Sequence, residues 1–326
     1  MARAPRIFLR NFMIETEAVI IKDPGKLYLG NVALREPSTG EVVVETHFSG
    51  VSTGTERLFW NGEMPTFPGM GYPLVPGYEA VGEVVDARES NKLNVGDFVF
   101  VPGANCYKDV KGLFGASAKQ LIVAEEKLIK IDKNLDANGT LFALAATARH
   151  AIAGLGNKMP NLIVGHGVLG RLLARLTIAA GGEPPVVWET NPSRISGAEG
   201  YEVLNPVEDN KRDYESIYDA SGDPSILDQI IQRLKKNGEI VLAGFYSNPL
   251  TFSFPPAFMR EAKIRISAEF TKEDVNVTKS LIEAEALSMD NLISDTRPAE
   301  ASTEAYRVAF EDTNCLKMVI DWRNAA

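Results

Sequence analysis

The chain has 326 residues, 45% of them hydrophobic and 24% charged, with a formal net charge of −9. That length suggests about two domains, each with its own core, and the acidic balance excludes a nucleic-acid partner, whose phosphates require a basic surface. With two cysteines, Cys106 and Cys315, the chain can build neither a disulfide framework nor a four-cysteine zinc knot, and it fits a reducing cytosol.

No apolar run is long enough for a transmembrane helix, so no integral membrane segment is expected. The stretch from Met1 to Glu15 has basic residues but lacks the apolar core of a secretory signal. Its first residues are expected either to be poorly ordered or to cover a neighbouring surface. From there to Leu135 the chain reads as β-rich. Strands are predicted at Glu17–Ile21, Glu41–Thr46, Ala80–Val85 and Phe98–Val101, punctuated by turns such as Pro24-Gly25 and Val95-Gly96-Asp97. Met64–Gly77 is broken by Pro65, Pro68, Gly69, Gly71, Pro73 and Pro76 and reads as a long ordered loop, a feature usually tied to function.

Beyond Leu135 the pattern changes to alternating helices and strands. Helices are predicted at Leu141–Ala153, Leu169–Ala180, Ser225–Lys235, Val275–Leu287 and Glu300–Phe310. Strands are predicted at Asn161–Val164, Val186–Trp188, Ser216–Ala220, Glu239–Ala243, Ile264–Ala268 and Lys317–Trp322. Such alternation predicts an α/β fold with a doubly wound parallel sheet.

One junction in this half carries chemistry. Gly165-His166-Gly167-Val168-Leu169-Gly170 is a GxGxxG that follows an apolar strand and opens a helix. The next strand ends in Glu189, about 20 residues on, as in dinucleotide-binding units. Gly165 permits the tight turn, Gly167 lets backbone approach a pyrophosphate, and Gly170 allows close helix packing. Glu189 can accept the ribose hydroxyls and repel a 2′-phosphate, which predicts NAD, whereas Arg194 would soften that preference. Ser221 and Gly244 end two further strands where a cofactor would cross the sheet edge. His166 reads as a backbone placeholder at the pyrophosphate.

Several segments then resemble a known family. Ser52–Trp60 (STGTERLFW), Met64–Ala80 (MPTFPGMGYPLVPGYEA), Val164–Arg175 (VGHGVLGRLLAR) and Pro255–Arg260 (PPAFMR) are similar to the 3-(1-hydroxyethyl)bacteriochlorophyllide a dehydrogenases of the medium-chain dehydrogenase superfamily. The resemblance implies a GroES-like β-rich substrate domain of residues 1–135 and 296–326, and a Rossmann NAD-binding domain of residues 136–295. It implies oxidation of a hydroxyethyl group on a magnesium tetrapyrrole, a homodimer, and a cytoplasmic protein peripheral to the photosynthetic membrane. A zinc-free NAD(P)H quinone or enoyl reductase of the same fold, or a non-catalytic pigment-binding protein, are the competing readings.

Zinc-dependent members of that superfamily use a cysteine and a histidine where this chain has Ser52 and Tyr78. Hydroxyls are poor zinc ligands beside thiolate and imidazole, so no metal is expected. A proton acceptor is still required. His150 is the leading candidate, with a packed helix histidine as the competing reading; Thr53, Thr147 and Tyr78 could bind or relay, and Glu56 or Glu79 could accept. Thr147 is also placed at the nicotinamide by the resemblance. Trp60, Met64, Phe67, Met70 and Tyr72 would cover a flat apolar substrate, with Phe245 and Phe258 opposite, unless these side chains fill a core or an interface.

Overall fold

Period-two burial organises the first half of the molecule. The strand Glu41–Val51 buries Val42, Val44, Thr46 and Phe48 and leaves the residues between them half-buried. It pairs antiparallel with Ala80–Asp86, with Gln120–Ala124 and with Met318–Asp321. The chain's end therefore returns to the sheet that its beginning builds. Phe98–Val101 and Ile129–Lys130 extend that sheet on one side and Asp295–Pro298 on the other. A smaller sheet of Ile14–Asp23, Lys26–Leu34, Leu74–Val75 and Lys111–Gly112 packs beside it. The computed structural model describes residues 14–154 and 157–325, so the expectation for the N-terminal stretch lies outside the described residues.

The second half is a six-stranded parallel sheet. Its order is Glu202–Leu204, Val186–Trp188, Leu162–Val164, Tyr214–Asp219, Leu234–Leu242, Lys263–Ile266. Numbered along the chain, that is 3-2-1-4-5-6, which reverses between Leu162–Val164 and Tyr214–Asp219. Helices Phe142–Ile152 and Val168–Ala179 cover one face through Ala145, Ala148, Leu172 and Leu176, while Ile226, Leu227 and Ile230 cover the other. Among the described residues no helix is long and apolar enough to cross a membrane.

Two local expectations fail for identifiable reasons. The predicted helix Ser225–Lys235 stops at Ile231, and Leu234 already belongs to the next strand. Leu227, Ile230, Ile231 and Leu234 have helical spacing, but Leu234 is buried beside Ile217 and Ile240, so the sheet takes it. The stretch after Gly54 forms an unanticipated helix, Thr55–Asn61, closed by Gly62 at φ 76°.

Trp322 secures the C-terminal return: it is fully buried, and its Nε1 donates to Ser49 Oγ at 2.8 Å. Trp322→Ala is expected to lower unfolding free energy by about 3–5 kcal/mol, read by urea denaturation; a loss within the scatter of surface substitutions would contradict that role.

Candidate active site

The sheet's reversal point is where the fingerprint lies. Gly165 leaves the strand at φ 96°, and a Cβ there would sit 3.1 Å from Ser221 backbone. A Cβ on Gly170 would lie 1.9 Å from the Gly165 carbonyl oxygen, so only glycine lets the helix start so close to the strand. Gly167 differs: nothing approaches its Cβ position within 4 Å. The backbone thus borders open space where helix Val168–Ala179 begins without a side-chain cap, leaving the amides of Val168 and Leu169 for a ligand. This cradle fits a diphosphate. Ser221 binds Asp219 Oδ1 through its N–H and hydroxyl at 2.9 and 2.6 Å, and Gly244 N donates to Asp219 O at 3.0 Å, so both gather at the same carboxyl edge.

Glu189 lies against this loop. Its carboxylate accepts from the backbone N–H of His166 (3.1 Å), Thr190 (2.8 Å) and Asn191 (2.8 Å). Three of about four acceptor positions are thereby filled, leaving room for about one ribose hydroxyl rather than two. Arg194 requires a correction. Its guanidinium donates to the carbonyls of Thr313 (2.8 Å) and Cys315 (3.1 Å), so it braces the C-terminal segment instead of facing a 2′-phosphate. The His166 side chain is a buried brace. Its Nδ1 donates to Arg194 O at 2.6 Å, which leaves Nε2 to accept from Tyr201 at 2.9 Å, and burial pushes its pKa down to about 4.

At the β-rich side, Ser52, Thr55 and Tyr78 form a triangle of hydroxyls. Tyr78 donates to Ser52 Oγ at 2.6 Å, Thr55 Oγ1 donates to Tyr78 Oη at 3.0 Å, and Ser52 and Thr55 are 3.3 Å apart. Burial, with Glu79 adding to it, raises the Tyr78 pKa well above its usual value, so this hydroxyl stays protonated. Three neutral hydroxyls do not fit a zinc ion. Thr55 was missed by sequence reasoning; its three-residue spacing from Ser52 across the start of a helix was the available signal. Thr53 lies outside the triangle and, like Thr147, makes no side-chain hydrogen bond among the described residues. The half-exposed Phe114, also missed, stands edge-on to Tyr78 at 5.4 Å and to Phe59 at 6.4 Å, an apolar wall beside the hydroxyls.

Other candidates settle elsewhere. His150 Nδ1 is 2.8 Å from Asp274 Oδ2, in the capping turn of helix Lys272–Glu283, and Arg149 binds the same carboxylate. Burial raises the Asp274 pKa, but bonds from Thr271, Arg149 and His150 outweigh it and hold the group at about 2. The ring points to that helix because His150 is one turn beyond Ala146, which packs with Val275. None of its hydrogen bonds leads to the hydroxyl triangle. Met64, Phe67, Met70 and Tyr72 pack on Ile21, Phe59 and Leu74, and Trp60 packs on Phe310, so these half-buried side chains flank a small core and keep part of their surface open. Phe245 follows Gly244 at the carboxyl edge and is 52% exposed, free to meet a ligand. Phe258 is exposed too, but away from that edge: its helix ends with Arg260 bound to the Gln232 and Leu234 carbonyls, at the amino edge of the sheet.

Behind the triangle lies a buried charge cluster. Lys317 pairs with Glu79 and donates to Val51 O at 3.1 Å, with both ionic side chains almost wholly out of water. Glu56 is fully buried, and neither of its oxygens has a well-formed hydrogen-bond partner. Burial first, and then Glu79, push its pKa from 4.5 to about 8; Lys317, the Tyr306 hydroxyl and the Ser52 main chain oppose the shift, the last two without reaching good hydrogen-bond geometry. The folded protein thus holds a proton that the unfolded chain releases, between pH 4.5 and about 8. Stability from this group falls as pH rises through that window. Glu56→Gln is expected to flatten the fall between pH 6 and 9 by about 2–3 kcal/mol, measured by denaturant titration; an unchanged slope would refute the shift.

Comparison with known proteins agrees with this geometry. Residues 38–133 match the alcohol dehydrogenase GroES-like domain. The 2-desacetyl-2-hydroxyethyl bacteriochlorophyllide A dehydrogenase of Cereibacter sphaeroides is 58% identical, over 96% of this chain and 100% of the relative. The enzyme of that name from Rhodobacter capsulatus is 55% identical over the same shares. The crystal structure of 2R,3R-butanediol dehydrogenase from Bacillus subtilis superposes with a TM-score of 0.81 at 20% identity, covering 94% of this chain and 99% of that one, which shows the shared fold. The chain belongs to the 2-desacetyl-2-hydroxyethyl bacteriochlorophyllide A dehydrogenase family, a branch of the medium-chain dehydrogenases with a GroES-like and a Rossmann-type part.

Proposed function

We propose that this chain oxidises the 3-(1-hydroxyethyl) group of a bacteriochlorophyllide to a 3-acetyl group with NAD, in bacteriochlorophyll a biosynthesis. The observation that carries the reading is the open backbone at Gly167 beside a buried carboxylate, Glu189, bound to the His166 amide. The names of the close relatives supply the substrate class. A 2′-phosphate at Glu189 would meet like charge in a site with little water, which favours NAD over NADP.

When bound, the nicotinamide supplies the hydride acceptor. The chain's own residues do the rest. Gly165, Gly167, Gly170 and the amides of Val168 and Leu169 hold the diphosphate, Glu189 holds the ribose, and Ser221 and Gly244 border the path to the reacting end. The Ser52–Thr55–Tyr78 triangle orients the carbinol oxygen, with Tyr78 as a lasting donor. Phe114 and Phe245 offer apolar surface to the macrocycle. No zinc enters this reading, because the carbinol carbon is attached to a conjugated ring that can share the positive character developing as hydride leaves. Residues 1–135 with 296–326 form the proposed substrate part, and residues 136–295 the nicotinamide part.

A homodimer is part of the proposal. Lys263–Ile266 is an edge strand exposing Ile264 and Ile266, next to a helix exposing Phe258 and Met259. An unpaired edge with an apolar flank is suited to pairing with a second copy. Ile266→Lys is expected to convert dimer to monomer by light scattering; a monomeric unsubstituted protein would refute the dimer.

The decisive assay offers a hydroxyethyl pigment with NAD or NADP and follows the pigment spectrum and nicotinamide reduction. NAD is expected to exceed NADP in kcat/KM by roughly tenfold or more, and Glu189→Ala to narrow the ratio. Pigment binding without NADH formation would indicate a carrier. NADPH-driven quinone reduction with no pigment turnover would indicate the reductase.

A further inference from the structure

Glu56 is the group on this molecule whose surroundings are hardest to explain by packing alone. A fully buried carboxyl normally finds partners, since an unmet polar atom in the interior costs about 1–3 kcal/mol. Both Glu56 oxygens lack one. Glu56 directly follows Thr55 in the first turn of helix Thr55–Asn61, next to the hydroxyl triangle, whose hydroxyls bond to one another and not to its oxygens.

We propose that Glu56 is the proton store of this site, taking up through the Ser52, Thr55 and Tyr78 hydroxyls the proton that the carbinol loses on oxidation. The proposal rests on the dehydrogenase reading above. Glu56 does not touch substrate; it acts through the hydroxyls.

The titratable groups around it come from several elements. Glu79 approaches from the segment before Ala80–Asp86, and Lys317 from the segment before Met318–Asp321. Tyr306 approaches from helix Ser302–Glu311, and Tyr78 from the triangle itself. Lys317 is already committed to Glu79 and to the Val51 carbonyl. Two carboxyls therefore share one ammonium, and one exchangeable proton stays in the cluster. Burial and Glu79 place its release near pH 8, while Lys317 and Tyr306 pull it lower.

The step balances on these atoms. The carbinol O–H bond breaks, its proton bonds to a triangle hydroxyl, and that hydroxyl turns from its triangle partner toward the unpartnered carboxylate and passes its own proton inward. The final O–H bond forms on the Glu56 carboxylate. The electron pair of the carbinol C–H bond leaves with its hydrogen as hydride for the nicotinamide, and the carbon completes its double bond to oxygen. After product leaves, Glu56 returns its proton to water through the same hydroxyls.

Infrared titration of the cofactor-free protein tests the store directly. A protonated-carboxyl band should disappear with a midpoint near pH 8, be missing in Glu56→Gln, and shift to higher pH in Tyr306→Phe, which removes a nearby hydroxyl whose dipole favours the charged form. In turnover, kcat for oxidation should rise about tenfold per pH unit below the midpoint and level off above it. Glu56→Gln should flatten that profile and lower kcat by roughly a hundredfold, with KM little changed. A band that survives in Glu56→Gln, or an active variant with the unsubstituted pH profile, would overturn the proposal alone. Failure of the unsubstituted protein to reduce NAD with pigment would remove the dehydrogenase reading and this proposal with it.

Discussion

The contact between Gly170 and the Gly165 carbonyl is the constraint on which the cofactor end depends. A side chain on Gly170 would require a Cβ 1.9 Å from that oxygen. Without one, helix Val168–Ala179 begins directly over the strand end, and its free amides face the open side of Gly167. The same turn delivers the His166 amide to Glu189. One backbone approach thus fixes the positive helix end and the carboxylate relative to each other. Arg171 reinforces it from behind, donating to the carbonyls of His166, Arg194, Ser196 and Gly197, so the loop after Glu189 is tied to the fingerprint's own helix.

The two ends of the site are joined by one short segment. Arg194 and Asn191, just past Glu189, hold the Thr313 carbonyl, and Arg194 also holds that of Cys315. Lys317, two residues further, is buried against Glu79 beside Tyr78. The loop that would meet the adenosine ribose is therefore linked through residues 313–317 to the charge cluster behind the hydroxyl triangle. Loss of either anchor would free a segment that carries a buried ammonium, and leaving one member of such a pair without its partner typically costs about 3–5 kcal/mol. The segment is held mainly by hydrogen bonds to carbonyls, which are short-range and directional.

The hydroxyl triangle and the carboxyl behind it also show how a site can change its chemistry while keeping its fold. Ser52 and Tyr78 stand where metal-binding relatives would carry thiolate and imidazole. Their hydroxyls satisfy one another at 2.6 Å instead of converging on an ion. The three hydroxyls carry no charge, and the nearby Glu56 is pushed toward its neutral form by burial. A pocket faced by neutral hydroxyls is suited to an apolar macrocycle, because a charge exposed there would have to be desolvated when the pigment arrives.

The sequence by itself determined the parallel sheet, the glycine turn and the carboxylate at Glu189, because each is a local requirement: period, missing Cβ, and fixed spacing along one βαβ unit. It also set hydroxyls at Ser52 and Tyr78, donors that suit zinc poorly, a reading that depends on side-chain type alone. Only the tertiary structure decided which side chains meet. Leu234 fits a helix by spacing and became a strand because the sheet had a buried place for it. His150 had the chemistry of a base but was turned to Asp274 by the packing of its helix. Thr55, Phe114 and Lys317 reached the site from separate elements, and Glu56 became unusual only when folding removed its water. Burial and long-range pairing are properties of the assembled chain, and no window of neighbouring residues encodes them.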